Sequence, residues 1–140
     1  MASTFIQQRD TLALILKQAH DGIIQLKEWT RNVDILNLPQ TPQGAQDLAG
    51  DVMLLQAICE CVKQINKRAP KLFSLRPEIP WHHVMSMRDR IAHGYFDIDI
   101  DFVHEIITND LDPLLTAIDA LSVALPELSD QDLFEVNKHS

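Results

Sequence analysis

Three side chains suited to phosphodiester chemistry lie within one short segment of this sequence, residues 87–95. The segment holds Arg88, His93 and Tyr95, which is the one tyrosine of the chain. The imidazole of a histidine accepts and donates protons near neutral pH, so His93 is a candidate general acid or base. The guanidinium of Arg88 is permanently charged, and its planar donors match phosphate oxygens. The pair suits metal-independent RNA cleavage, in which a base deprotonates the ribose 2′-OH and a cation stabilises the phosphorane-like transition state.

The sequence places this segment at the end of a short helix. We expect a third helix over residues 81–93, with Gly94 as the glycine that follows its C-terminus. Two residues five positions apart on a helix are separated by roughly 140° around its axis, so Arg88 and His93 need not meet within one chain. If two copies face each other across a two-fold axis, as in a homodimer, two such pairs can line one cleft. Asp89, four positions before His93, could share its helix face and orient the imidazole.

Each of these residues also has an ordinary structural interpretation. A histidine near a helix C-terminus interacts favourably with the helix dipole, an arginine commonly forms a surface ion pair, and Tyr95 suits the edge of a bundle. His82 and His83 raise the alternative of a metal site with His93. Adjacent helical residues diverge by roughly 100°, and no acidic or cysteine ligand stands at a useful spacing, so we predict no metal and no cofactor. Trp81 is expected to anchor the start of the helix in the core rather than to stack on bases.

Apolar residues repeat at helical spacing along most of the chain. Leu12, Leu16, Ala19, Ile23 and Leu26 form one such stripe, and similar stripes follow. The four expected helices cover residues 4–30, 45–68, 81–93 and 102–125, the last one kinked by Pro113 and capped by Asp99 or Asp101. Residues 31–44 and 70–80 are expected to be connections. These features predict an all-α, antiparallel four-helix up-down bundle over residues 1–126, followed by an acidic tail at 127–140 with one helical turn near 131–136.

Charge is unevenly distributed along the sequence. The formal net charge is −8, but residues 63–90 carry seven basic and two acidic side chains, a local charge of +5. This basic zone is either a solvated helix end paired with acidic neighbours or a patch for phosphate. Both interpretations remain open on sequence alone.

The cysteines and the apolar runs indicate the compartment. Cys59 and Cys61 are two positions apart and point to different sides of a helix, so we expect reduced thiols that pack like small apolar groups. No apolar run approaches the ~18 residues of a membrane span, and the N-terminus lacks a basic start followed by an apolar stretch. We therefore expect a cytoplasmic protein without a membrane partner.

The spacing of Arg88, His93 and Tyr95 resembles the signature of HEPN-domain proteins, and the tyrosine makes it similar to the HepT-type toxins. The flanks support the resemblance: residues 78–81 before the motif, 96–99 after it and 109–114 on the last helix are similar to the corresponding family segments. Glu60 matches a recurrent acidic position on the second helix. The detailed match covers residues 78–115, and the helix order matches from about residue 5 to 125.

The resemblance implies a particular function. HepT-type toxins are metal-independent endoribonucleases that act as dimers and pair with a small nucleotidyltransferase antitoxin of the MNT type. It implies catalytic roles for Arg88 and His93, supporting roles for Asp89 and Glu60, and AMP transfer from ATP to Tyr95 as the neutralising step. Arg90 is expected to contact RNA or the antitoxin. The alternative is a non-catalytic partner of a nucleotidyltransferase, which the net charge of −8 favours.

Overall fold

The computed structural model describes residues 2–134, with side chains described from Thr4 onward. Within this part of the chain the regular elements are helices, and the one pairing of extended residues is an isolated bridge between Ala92 and Ile98. The α-helices are α1 (Ala2–Trp29), α2 (Pro42–Arg68), α3 (Trp81–Ile91), α4 (Ile100–Asn109), α5 (Leu111–Ala124) and α6 (Asp130–Leu133). Short 3-10 helices cover Ile35–Gln40, Pro70–Leu75 and Leu125–Glu127. The prediction of an all-α fold is confirmed.

The core lies between the long helices. α1 packs against both α2 and α5, and α3 lies along α2. The predicted stripe of α1 is confirmed, because its five residues from Leu12 to Leu26 are all inaccessible to solvent. Leu55 on α2 and Ile118 on α5 are also buried in the same core. Trp81 is buried as predicted: its ring stacks on Phe73 at 4.0 Å, and its indole N–H donates to the Arg76 carbonyl at 2.9 Å.

The connection between α1 and α2 is more ordered than the sequence suggested. Its 3-10 helix buries Ile35 and packs against α2. α2 begins at Pro42, three residues earlier than predicted, because the Thr41 hydroxyl accepts the Gly44 N–H and proline suits the first helical position. A Cβ at Gly44 would lie 2.0 Å from the Leu38 carbonyl oxygen, so only glycine allows this close approach.

The prediction of one kinked helix over residues 102–125 is wrong, because the chain forms two helices there. α4 ends at Asn109 and α5 begins at Leu111. The ring of a proline clashes with the carbonyl four residues earlier, which for Pro113 belongs to Asn109. In the observed arrangement Pro113 lies in the first turn of α5, where a helix tolerates proline. Of the two capping candidates, Asp99 accepts the Phe102 N–H at 3.1 Å.

The described part of the predicted acidic tail packs on the bundle. α6 begins at a capping box formed by Ser129 and Asp132, and Phe134 is buried against the stacked ring of Phe5 at 5.2 Å. Arg9 on α1 forms an ion pair with Asp130 at 2.9 Å. α6 overlaps the helical turn predicted near 131–136, and residue 135 onward, including the end of that predicted turn, lies outside the described residues.

Both cysteines have free thiols, as the sequence predicted. Cys59 and Cys61 are free, and burial raises the pKa of the Cys59 thiol to about 12. The thiol therefore stays protonated, as expected for a core residue. Within residues 2–134 every helix is too short or too polar to traverse a bilayer.

Candidate active site

His93 lies on a tight loop that follows α3. α3 ends at Ile91, two residues before the predicted end near His93, and Ala92 is extended at φ −166° and ψ 142°. The His93 N–H donates to the Asp97 carbonyl at 3.0 Å, and the Asp99 N–H donates to the Ile91 carbonyl at 2.9 Å. These bonds close residues 93–97 into a turn, called the motif loop below. Angles taken from a straight helix therefore do not describe how Arg88 and His93 are related.

Gly94 gives the motif loop its backbone conformation. Its φ is +146°, a value that residues with a side chain rarely adopt, although a Cβ there would meet no neighbouring atom. Its carbonyl accepts the Asp97 N–H at 3.1 Å. Gly94 was predicted to follow the end of the helix. It lies instead inside the turn, between His93 and Tyr95.

Arg88 remains on the last turn of α3 and faces α2. Its Nη1 lies 3.4 Å from Oε2 of Glu60, and both side chains are partly exposed. The other carboxylate oxygen of Glu60 accepts a hydrogen bond from Gln64 at 3.0 Å. An exposed ion pair at this distance is weak, and the other donors of the Arg88 guanidinium make no hydrogen bond within residues 2–134.

Gln56 connects α2 to the end of α3, and sequence reasoning missed it. Its side-chain amide donates to the Arg88 carbonyl at 3.0 Å and to the Ala92 carbonyl at 3.3 Å. The last carbonyls of a helix lack intrahelical partners, so Gln56 stabilises the junction between α3 and the motif loop. The signal in the sequence was the four-residue spacing of Gln56, Glu60 and Gln64 along one edge of the apolar stripe.

The remaining predicted site residues surround this junction without joining it. His93 and Asp89 are both exposed, and no hydrogen bond within residues 2–134 links their side chains. The expected orienting contact required a helix through residue 93, which ends earlier. The Arg90 guanidinium lies 3.8 Å above the Phe102 ring, on the α4 side of α3.

Tyr95 presents its ring to solvent. It is 60% exposed and packs edge-on against Phe96 at 5.0 Å, while Phe96 itself is 97% exposed. A shallow groove of about 200 Å³ runs between the motif loop and α2, with Tyr95, Gly94 and Met53 among its walls. The phenol is therefore accessible to a modifying group.

The basic zone divides into paired and unpaired parts. Arg76 and Arg88 have carboxylate partners, and Lys71 donates to the Gln131 carbonyl at 3.1 Å. Lys63 and Lys67 are exposed on α2, and neither has an ion-pair partner among residues 2–134. Because they follow Glu60 by three and seven positions, they continue the Arg88 side of the helix.

The structure brings no metal-ligating cluster together in the described region. Within residues 2–134, no group of three His, Cys, Asp or Glu side chains could hold a metal ion. His82 and His83 are exposed, and His83 packs edge-on against Phe102 at 6.4 Å.

The fold and the site define a class: an all-helical bundle with an Arg–His–Tyr motif where its third helix ends. A family model described as "Ribonuclease HepT-like" matches residues 43–121, more than half of the chain, so this protein belongs to the HepT-like ribonuclease family. The chain is 34% identical over 56 residues to a protein of Thermococcus cleftensis named "Probable ribonuclease HepT". That alignment covers 39% of this chain and 51% of the relative, so the chain spans about half the length of the relative. No solved structure matches.

Proposed function

We propose that this protein is a metal-independent endoribonuclease toxin in which Arg88 and His93 cleave RNA. The observation that carries the proposal is that both side chains are exposed where α3 passes into the motif loop. Neither is used by the core, and the Gln56 amide of α2 binds the Arg88 and Ala92 carbonyls at this end of α3. Membership of the HepT-like ribonuclease family supports the same activity.

The proposed reaction is transfer of the phosphate ester to the neighbouring ribose hydroxyl. The His93 imidazole removes the 2′-OH proton as the 2′ oxygen attacks phosphorus, and the bond to the 5′ oxygen breaks. The departing 5′ oxygen takes a proton from an imidazolium, giving a 2′,3′-cyclic phosphate and a 5′-OH. Arg88 neutralises the negative charge that builds on the non-bridging oxygens. Acid–base catalysis by one such group contributes typically ~10²–10⁴-fold.

We further propose that two subunits share the cleft. Proton removal and proton delivery occur on opposite sides of the phosphorus, so two imidazoles serve the reaction better than one. A two-fold axis beside the motif loops would supply a second His93 and Arg88. The exposed rings of Tyr95 and Phe96 offer apolar area for contact beside such a cleft.

Tyr95 is the proposed control point. A nucleotidyltransferase antitoxin of the MNT type would catalyse attack of the phenol oxygen on the α-phosphorus of ATP, with release of pyrophosphate and the phenolic proton. The added AMP would lie two residues from His93 and place a negative phosphate beside the RNA site. Like charge and bulk would then exclude the substrate.

RNA cleavage by purified chains tests the catalytic assignment. End-labelled cellular RNA would be incubated with the wild type, His93→Ala and Arg88→Ala in the presence of a chelator. We expect at least ~10²-fold slower cleavage for His93→Ala, and products of the wild type that end in a cyclic phosphate. His82→Ala is the matched control, because His82 is an exposed histidine at the opposite end of α3. Equal cleavage by His93→Ala and the wild type would remove His93 from the mechanism.

The competing function is a non-catalytic partner of a nucleotidyltransferase, favoured by the net charge of −8. Intact RNA in every reaction, together with AMP transfer to Tyr95 by the partner, would support that alternative. Mass spectrometry of the peptide that contains Tyr95 locates the modification. AMP on a different residue would contradict the proposed control point.

A further inference from the structure

Asp51 is a buried carboxylate that the proposed catalytic site does not use. It occupies a position in the apolar stripe of α2, between Leu48 and Leu55, and only 3% of it is exposed. None of the hydrogen bonds and ion pairs found within residues 2–134 engages its carboxylate. No side-chain oxygen or nitrogen within residues 2–134 is both sealed from solvent and without a hydrogen-bond partner, so the Asp51 oxygens are reachable from outside. A cation that approaches from solvent can therefore pair with this carboxylate.

Asp51 lines a pocket that has the composition of a cation site. The pocket has a volume of about 290 Å³ and lies between the end of α1 and the first turns of α2. Its walls include Trp29, which is half exposed, and Asp47, one helical turn before Asp51. Gly50 leaves its floor open, since a Cβ there would meet no atom within 4 Å. Two acidic residues and a tryptophan therefore line one concavity.

We propose that this pocket binds the guanidinium group of an arginine side chain that belongs to a partner polypeptide. A planar guanidinium can stack on the Trp29 indole while its donors reach the carboxylates of Asp47 and Asp51. Burial and the nearby Asp47 raise the pKa of Asp51 to about 6, so the empty pocket holds the anion unfavourably. A bound cation would relieve this penalty.

Other cations fit the pocket less well. Ca²⁺ takes six to eight oxygen ligands, of which two carboxylates supply few. Within residues 2–134 no third His, Cys, Asp or Glu side chain joins Asp47 and Asp51 to form a metal-ligating group. An ammonium group lacks the planar fork that spans two carboxylates and stacks on an aromatic ring. The guanidinium is therefore the best match to the side chains present.

The surroundings favour a polypeptide over a free small molecule. The pocket is open, and Met53, one turn along α2 from Gly50, is 75% exposed. Met53 also lines the groove beside Tyr95, so one strip of α2 connects the pocket to that groove. A chain that inserts an arginine beside Trp29 can extend an apolar side chain onto Met53. The inference does not depend on RNA cleavage.

Nuclear magnetic resonance of the full chain tests this pocket directly. The probe is the acetylated and amidated tripeptide Leu-Arg-Leu, and the readout is the Trp29 indole N–H signal, identified by its loss in Trp29→Phe. The same peptide with citrulline, a neutral isostere of arginine, is the ligand control. The indole of buried Trp81 is the internal control. We expect saturable shifts with a Kd of about a millimolar for the arginine peptide, and at least about tenfold weaker binding of the citrulline peptide.

Variants separate the pocket from general charge effects. Asp51→Asn and Asp47→Asn should each weaken binding of the arginine peptide by about tenfold or more. Asp10→Asn, which removes an exposed carboxylate of α1 outside the pocket, should leave binding unchanged. Equal binding of the citrulline peptide, undiminished binding to Asp51→Asn, or no shift of the Trp29 signal would each overturn the site. Binding of agmatine as tightly as the arginine peptide would overturn the polypeptide source.

Discussion

Replacement of Asp51 by asparagine should stabilise the protein at neutral pH. The pKa of Asp51 rises from 3.8 to about 6, chiefly because burial disfavours its charged form and secondarily because Asp47 repels it. A rise of about two units corresponds to at most ~3 kcal/mol of unfolding free energy. Because the carboxylate opens into a pocket, solvent screening reduces this penalty. We therefore expect Asp51→Asn to be ~1–2 kcal/mol more stable than the wild type at pH 8.

The pH dependence of that difference identifies its cause. The folded state binds the proton of Asp51 more tightly than the unfolded state, so wild-type stability falls as pH rises from about 4 to about 6 and then levels off. Below pH ~4 the carboxyl is protonated in both states, and the advantage of Asp51→Asn should vanish.

Urea unfolding followed by circular dichroism, at equal protein concentrations between pH 4 and pH 8, measures this difference. Asp47→Asn should give a smaller gain, because Asp47 is the lesser cause of the shift. The control Asp10→Asn should differ little from the wild type at any pH. Two results would show that the charge of Asp51 does not destabilise the fold: Asp51→Asn is less stable than the wild type at pH 8, or the stability difference between the two is the same at every pH.

Three further predictions concern the motif loop and the basic zone. Gln56→Leu should lower the unfolding free energy, measured in urea, by ~1–2 kcal/mol, because the Arg88 and Ala92 carbonyls lose their donor. An unchanged unfolding free energy would show that water replaces the amide. Gly94→Ala should cost ~1–3 kcal/mol in the same assay, because alanine is strained at φ +146°; Gly50→Ala, a helical glycine with open space, is its control. The double variant Lys63→Ala/Lys67→Ala should weaken RNA binding, measured by fluorescence anisotropy. The slope of log binding constant against log salt concentration should fall by ~0.7 for each lost phosphate contact. An unchanged slope would show that neither lysine contacts RNA.

The apolar repeats predicted α1, α2 and much of the core. A period of 3.6 residues is a local property, and the five α1 positions it selected are all buried. The motif residues were proposed from their types, their spacing and the family resemblance, because guanidinium, imidazole and phenol chemistry is intrinsic to the side chains. The break at Pro113 was visible as a proline, but whether the chain kinks or separates depends on how α4 and α5 pack.

The tertiary structure decided which residues meet at the end of α3. Gln56 contacts Ala92, which lies 36 positions later in the sequence, and Glu60 contacts Arg88, which lies 28 positions later. A local sequence pattern carries no information on such distant pairs. The same holds for Phe134, which packs on Phe5 although its surrounding sequence is acidic. Asp51 is a further case: its type and position drew no attention in the sequence, and the pocket it lines with Trp29 forms only where the end of α1 meets α2. Periodicity specifies which face of a helix is buried, whereas the contacts between faces determine what the buried and bordering polar groups can do.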